Sequence, residues 1–216
     1  MIKAIIFDMD GVLIDSNSIC YDVWNEVFER RFNITLDKKE FASHLGESSK
    51  HFTEFFLKKY NLKCEYEDLN EELNTTFVEN RKRINLKKGI KEVLQKFKKK
   101  YKIALATGAD KEDALYTVTT FGITDYFDYI IAGNEVKIAK PNPEIFIKAA
   151  EVLNLKPEEC VVIEDANLGI RAAKAAGMFV ISIPDELTKS QDHSMANIHL
   201  KSISELDNKL LKKLGG

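Results

Sequence analysis

Six short apolar runs, each continuous rather than alternating, constrain the fold of this chain more than any other feature. They fall at residues 3–8, 102–107, 128–133, 160–165, 179–184 and, more weakly, 197–200. A strand with one wet face alternates apolar and polar residues. A strand covered on both faces is apolar throughout, as in a parallel sheet flanked by helices. From residue 89 onward, helical patterns separate the runs: Ile145, Ala149 and Leu153 recur at i, i+4, as do Phe146 and Ala150. Asn142-Pro143 reads as an N-cap followed by the first helical residue, and Gly122 and Gly177 stand where a glycine just past a helix end belongs. The alternation predicts an α/β fold built on a doubly wound parallel sheet.

Residues 16–86 interrupt this alternation. They hold no strand pattern but several i, i+4 apolar rows: Ile19, Val23 and Val27; Trp24, Phe28 and Phe32; Phe52, Phe56 and Tyr60; Leu69, Leu73 and Phe77. Such rows are the buried stripes of a small helical bundle. The chain therefore divides into an α/β core of residues 1–15 and 87–216 and a helical cap, residues 16–86, inserted directly after the first strand.

Charge narrows the choice of partner. Lys plus Arg is 32 against 34 Asp plus Glu, a formal charge of −2, so nothing global favours nucleic acid or an anionic membrane. The densest basic run, Lys96, Lys98, Lys99, Lys100 and Lys102, reads as a solvated helix end. Three widely spaced cysteines with no CxxC argue against a disulfide scaffold or a zinc site and fit a reducing compartment. No apolar run approaches the ~20 residues of a spanning helix, so the expectation is a cytoplasmic protein, a monomer or weak dimer. His44, His51, His193 and His199 show no ligand spacing.

In an open α/β sheet, ligands bind beyond the carboxyl ends of the strands. The first run ends in Asp8, with Asp10 and Gly11 just after it; the second ends in Thr107-Gly108; the fourth ends in Glu164-Asp165; and Lys140 precedes the helix leading into the fourth. In a parallel sheet these four carboxylates, one hydroxyl and one ammonium converge on a single edge. Two like charges 4 Å apart repel by about 4 kcal/mol at an effective dielectric near 20. A hard divalent cation relieves that repulsion, and beside phosphate the usual choice is Mg²⁺. Thr107, Gly11, Gly108 and Lys140 offer what phosphate oxygens require: a hydroxyl, close backbone N–H groups and a point positive charge. Asp8 then reads as a nucleophile that takes the phosphoryl group. Asp10 reads as the acid that protonates the leaving alcohol and then as the base that deprotonates water.

These residues resemble the haloacid dehalogenase superfamily of phosphotransferases. Asp8-Met9-Asp10-Gly11-Val12 resembles its DxDGV first motif, Thr107 its second, Lys140 in KPNP its third and Glu164-Asp165 its acidic fourth. The resemblance implies Mg²⁺ held by Asp8, the Asp10 backbone carbonyl and Asp165, with Glu164 assisting. It also implies a cap that selects a small phosphorylated metabolite, here through the loop containing Gly46, Ser49 and Lys50.

Dehalogenases of the superfamily need no acid two residues after the nucleophile, so Asp10 favours phosphoryl transfer. Within the branch that joins β-phosphoglucomutase and small-metabolite phosphatases, the mutase carries a cap histidine and arginine where this chain has Cys20 and Ser49. Phosphatase therefore ranks above mutase. A phosphonatase-like reading needs a cap lysine, for which Lys50 stands one place out of position. A phospho-accepting signalling module would have no use for Asp10 and no helical insertion.

Overall fold

The computed structural model describes residues 1–214. All six predicted strands form: β1 (Ala4–Phe7), β2 (Lys102–Ala106), β3 (Tyr129–Ile131), β4 (Cys160–Glu164), β5 (Phe179–Ser182) and β6 (Ile198–His199). Each is shorter than its apolar run, because residues at the run's carboxyl end, and for β1, β3 and β6 also its first residue, lie outside the ladder. The strands lie in the order β3-β2-β1-β4-β5-β6, and every neighbouring pair is parallel. The order reverses direction at β1, whose neighbours are β2 and β4. The crevice beyond the ends of β1 and β4 is therefore the topological switch point where such sheets take ligands.

Alternation along β1 explains the two cores. Ile5 and Phe7 join Ile103, Leu105, Val161 and Ile163 on one face, whereas Ala4 and Ile6 join Ala104, Val162 and Val180 on the other. Among the described residues nine α-helices form. Four lie in the insertion: α1 (Ser16–Phe32), α2 (Lys38–His44), α3 (Ser49–Lys59) and α4 (Tyr66–Asn80). The others are α5 (Ile90–Lys98), α6 (Lys111–Thr120), α7 (Glu144–Val152), α8 (Asn167–Ala175) and α9 (Asn208–Leu214). On the first face, α5 contributes Ile90, Val93, Leu94 and Phe97; on the second, α7 contributes Ile145, Phe146 and Ala149, and α8 contributes Ile170 and Ala173.

Helices α1–α4 close around their own apolar cluster, centred on Trp24, Phe28, Phe41, Phe52 and Phe56. Ring centroids lie 4.6 Å apart for Trp24–Phe52 and 4.8 Å for Phe41–Phe52, within the range of favourable aromatic pairing. Asp37 caps α2 through the Glu40 N–H at 2.8 Å, and Ser48 caps α3 through the His51 N–H. The two strands of chain that enter and leave this bundle are clasped together. The Asp15 N–H donates to the Asn85 carbonyl at 3.1 Å, and the Asn85 N–H donates to Asp15 Oδ1 at 2.5 Å.

Gly122 and Gly177 follow α6 and α8 with positive φ, where a side chain would be strained. At α7 the register differs by one residue from the sequence reading. Pro143 takes the N-cap position, while the Asn142 side chain accepts the Glu144 N–H at 3.0 Å. The asparagine still satisfies a free helix-end N–H, from one residue further out.

Candidate active site

Asp8 is the first residue beyond β1, and its N–H still donates to the Ile163 carbonyl of β4, which binds the ends of the two strands together. That contact sets Asp8 beside Glu164 and Asp165. One oxygen from each of the three carboxylates lies within 4.8 Å of the others, and all three residues are buried. Lys140 reaches in from the loop before α7. Its Nζ donates to Asp8 Oδ1 at 2.6 Å and to Glu164 Oε1 at 2.8 Å, with all three side chains at most 8% exposed.

Glu164 is seated by its backbone surroundings. Its Oε2 accepts the N–H groups of Asp165 and Ala166, both at 2.8 Å, at the entry to α8. A Cβ on Gly169 would fall 1.5 Å from Glu164 Oε1, so the absence of a side chain there makes the seat. Gly11 does the same for Asp165: with φ +73 it turns the chain, and a Cβ on it would lie 2.0 Å from Asp165 Oδ2.

The buried charge does not balance. One ammonium faces three carboxyl groups, and the carboxyls respond. Burial, opposed by Lys140 and reinforced by Glu164 and Asp10, pushes Asp8 well above the usual carboxylate range. Asp165 is raised by burial and by the charges of Glu164 and Asp8. Burial alone would lower Lys140, but Asp8 and Glu164 outweigh it and hold the ammonium more strongly than usual. Crowded oxygen donors with surplus negative charge suit a hard divalent cation, so Asp8, Glu164 and Asp165 fit such an ion by their donor set.

Asp10 stands apart from that group. Its Oδ1 accepts from Ser16 Oγ at 2.5 Å, and burial raises its pKa against that hydrogen bond. Cys20, on α1, is close enough for the Asp10 charge to add to the burial that pushes its thiol up to about 12. Thr107 is fully buried at the end of β2, where its Oγ1 accepts the Ala109 N–H at 3.1 Å. Gly108 lies in contact with the loop after β3, since a Cβ on Gly133 would meet its carbonyl at 2.1 Å.

The loop between α2 and α3 and the start of α3 divide. Gly46, at φ +97, is the part that touches the sheet half: a Cβ there would lie 3.2 Å from Ala166 Cβ. Ser49 opens α3. Lys50 lies 3.9 Å from Glu54 and 5.9 Å from the Tyr66 ring centroid, and it has no hydrogen bond or ion pair to the carboxylate group among the described residues.

Several neighbours of the site carried no readable signal in the sequence. Asn17 Nδ2 donates to Asp165 Oδ2 at 3.0 Å and to Asp185 Oδ2 at 2.7 Å, and Thr188 Oγ1 donates to Asp165 Oδ2 at 3.1 Å. Lys87 Nζ donates to the Gly11 carbonyl. These residues come from three separate parts of the chain, and no spacing rule links them. Asp15, at the residue before α1, makes no side-chain capping bond and instead accepts the Asn85 N–H where the chain enters and leaves the insertion.

Comparison with known proteins agrees with this architecture. The family model described as haloacid dehalogenase-like hydrolase matches residues 5–183. A phosphorylated carbohydrates phosphatase from Thermotoga maritima is 33% identical over 180 residues, 82% of each chain. The crystal structure of β-phosphoglucomutase from Clostridium difficile superposes with a TM-score of 0.87 at 30% identity, covering 100% of this chain and 97% of that one. CbbY from Rhodobacter sphaeroides, solved in complex with phosphate, gives a TM-score of 0.82 at 28% identity over 95% of this chain and 96% of that one. The chain belongs to the haloacid dehalogenase-like hydrolase family, as an enzyme of its phosphatase type.

Proposed function

We propose that this protein is a Mg²⁺-dependent phosphomonoester hydrolase that acts on a small phosphorylated metabolite through an aspartyl-phosphate on Asp8. The observation that carries the reading is the buried meeting of Asp8, Lys140, Glu164 and Asp165 at the switch point of the sheet. Asp8, Glu164 and Asp165, with the Asp10 backbone carbonyl, would hold the ion. When bound, Mg²⁺ supplies positive charge that draws electron density from the phosphoryl oxygens and offsets anion–anion repulsion.

Asp8 attacks phosphorus with a carboxylate oxygen, forming one P–O bond as the bond to the alcohol oxygen breaks. Asp10, held by Ser16, gives its proton to the departing alkoxide. Water then attacks phosphorus, Asp10 takes a proton from that water, and the acyl phosphate bond breaks to restore the Asp8 carboxylate and release inorganic phosphate. Lys140 keeps Asp8 oriented and partly neutralises the charge that gathers during attack. Thr107, with the backbone at Gly11 and Gly108, holds the phosphoryl oxygens.

Residues 16–86 act as a cap that closes over the pocket and excludes bulk water, pivoting at the Asp15–Asn85 clasp. The loop from Gly46 through Ser49 to Lys50 selects the alcohol. Three free cysteines fit a cytoplasmic setting. Hydrolysis rather than mutase chemistry is favoured by Cys20 on α1, whose thiol is held neutral by burial and by the Asp10 charge and which offers no cation to a second phosphate.

Turnover of p-nitrophenyl phosphate with Mg²⁺, and its loss with EDTA, tests the reaction. A panel of phosphorylated metabolites that includes β-glucose 1-phosphate with its bisphosphate activator tests the class. Glucose 6-phosphate formed without inorganic phosphate would reverse the ranking of phosphatase over mutase. A single phosphate taken up per chain without release would indicate a signalling module.

A further inference from the structure

Asn17 sits in the first turn of α1 and is 7% exposed. Its side-chain amide bridges two carboxylates, Asp165 at 3.0 Å and Asp185 at 2.7 Å, using both of its N–H groups. Thr188, fully buried, adds a second donor to the same Asp165 Oδ2 at 3.1 Å. The other Asp165 oxygen receives neither bond. Two donors on one oxygen fix the rotation of the carboxylate and direct its free oxygen away from them.

Asp185 holds these donors in turn. Its Oδ1 accepts the N–H groups of Leu187 at 2.7 Å and Thr188 at 3.0 Å, folding the segment after β5 into a turn that presents the Thr188 hydroxyl. The same segment is fastened to the helical insertion: Leu187 is buried in the aromatic cluster, and Gln191 Nε2 donates to the Ala42 carbonyl at 2.8 Å. The room for the amide also depends on Gly11, where a Cβ would lie 2.6 Å from Asn17 Nδ2. A purely space-filling residue here would need no amide bridging two acids.

We infer that Asn17 and Thr188, set by Asp185, are positioning residues that orient the Asp165 carboxylate for the divalent ion and make its affinity depend on the insertion being in place. The inference rests on Asp165 being a metal ligand, as proposed above. Outer partners of a metal-ligating group commonly alter affinity by about 10–100-fold when removed.

The test reads metal binding without turnover. Mn²⁺ is titrated into metal-free protein and the free ion is followed by electron paramagnetic resonance. Asn17→Ala and Thr188→Val are each expected to raise the Mn²⁺ Kd by about tenfold or more. Thr188→Ser, which keeps the hydroxyl, should match the unaltered protein. Asp185→Asn keeps the turn but presents an amide N–H₂ to Asn17, and it should weaken binding in the same direction. Thr188→Val preserves side-chain shape, so it carries the test even where Asn17→Ala does not fold. Unchanged Kd values in Asn17→Ala and Thr188→Val, beside lost binding in Asp165→Asn, overturn this inference and leave the phosphatase reading standing. Absence of Mn²⁺ binding by the unaltered protein overturns both.

Discussion

The strand ends and the helical insertion treat charge in opposite ways. At the switch point, Asp8, Lys140, Glu164 and Asp165 are buried together with more negative than positive charge. In the insertion, Glu26, Arg30, Arg31 and Glu72 pair on the surface, and Lys59 pairs with Glu40 across α2 and α3, while the interior is almost wholly aromatic and aliphatic. Solvent screens the surface pairs, so they add little to stability. The buried group costs stability, because desolvating carboxylates is unfavourable unless they are fully compensated. A chain keeps such a group where it binds or reacts with something, and builds an apolar interior where it needs only shape.

That contrast can be broken or sharpened by experiment. The largest effect is expected from Asp8→Asn, which should abolish turnover while leaving the circular dichroism spectrum unchanged; retained turnover would remove Asp8 as nucleophile. Next comes Asp10→Asn, with turnover slowed by ~10²–10⁴-fold. That loss should be smallest for p-nitrophenyl phosphate, whose leaving group needs little protonation, and equal losses for every alcohol would argue against proton donation by Asp10.

On the insertion side, Phe56→Ala removes a fully buried ring and should destabilise the protein by about 3–5 kcal/mol in urea unfolding. If the two regions differ as described, kcat for a small activated ester should hold while the protein remains folded. A collapse of kcat in the folded variant would show that the bundle shapes the chemistry directly. Replacing residues 46–50 should redistribute preference among natural substrates, with each altered contact worth about 1–3 kcal/mol in kcat/KM. An unchanged profile would move selection elsewhere.

The smallest expected effect concerns pH. Asp8 is raised to about 8 and Asp165 is raised as well, so the folded state binds protons that the unfolded chain releases near pH 4. Stability from these groups is therefore fully present below the unfolded value and is lost as pH rises through the folded one. Metal-free protein should melt a few degrees higher near pH 6 than near pH 8.5, and Mg²⁺ should stabilise most at the higher pH. Glu72, on the insertion, is lowered by its bonds to Arg30 and Arg31, so its contribution runs the other way and fades as pH falls below about 4.5. A metal-free Tm that rises steadily with pH across this range would contradict the assignment of surplus buried acid.

Much of this was legible in the residues alone. Continuous apolar runs mark strands covered on both faces, because a half-wet strand would alternate, and β1 and β4 are indeed buried along their whole length. The i, i+4 rows of α1, α3 and α4 declare their buried stripes because helical period is a local property. Asp8 and Glu164-Asp165 could be expected to meet because residues at the ends of neighbouring parallel strands share one edge, whereas Lys140 reaches them from the loop before α7. Tertiary structure alone decided the rest. Asn17, Lys87, Asp185 and Thr188 meet the site from segments with no common spacing, and their roles depend on distances that only packing sets. The Asp15–Asn85 clasp likewise joins residues 70 positions apart. Local sequence governs backbone period and burial, whereas a hydrogen bond between residues 148 positions apart exists only once the sheet and the insertion have docked.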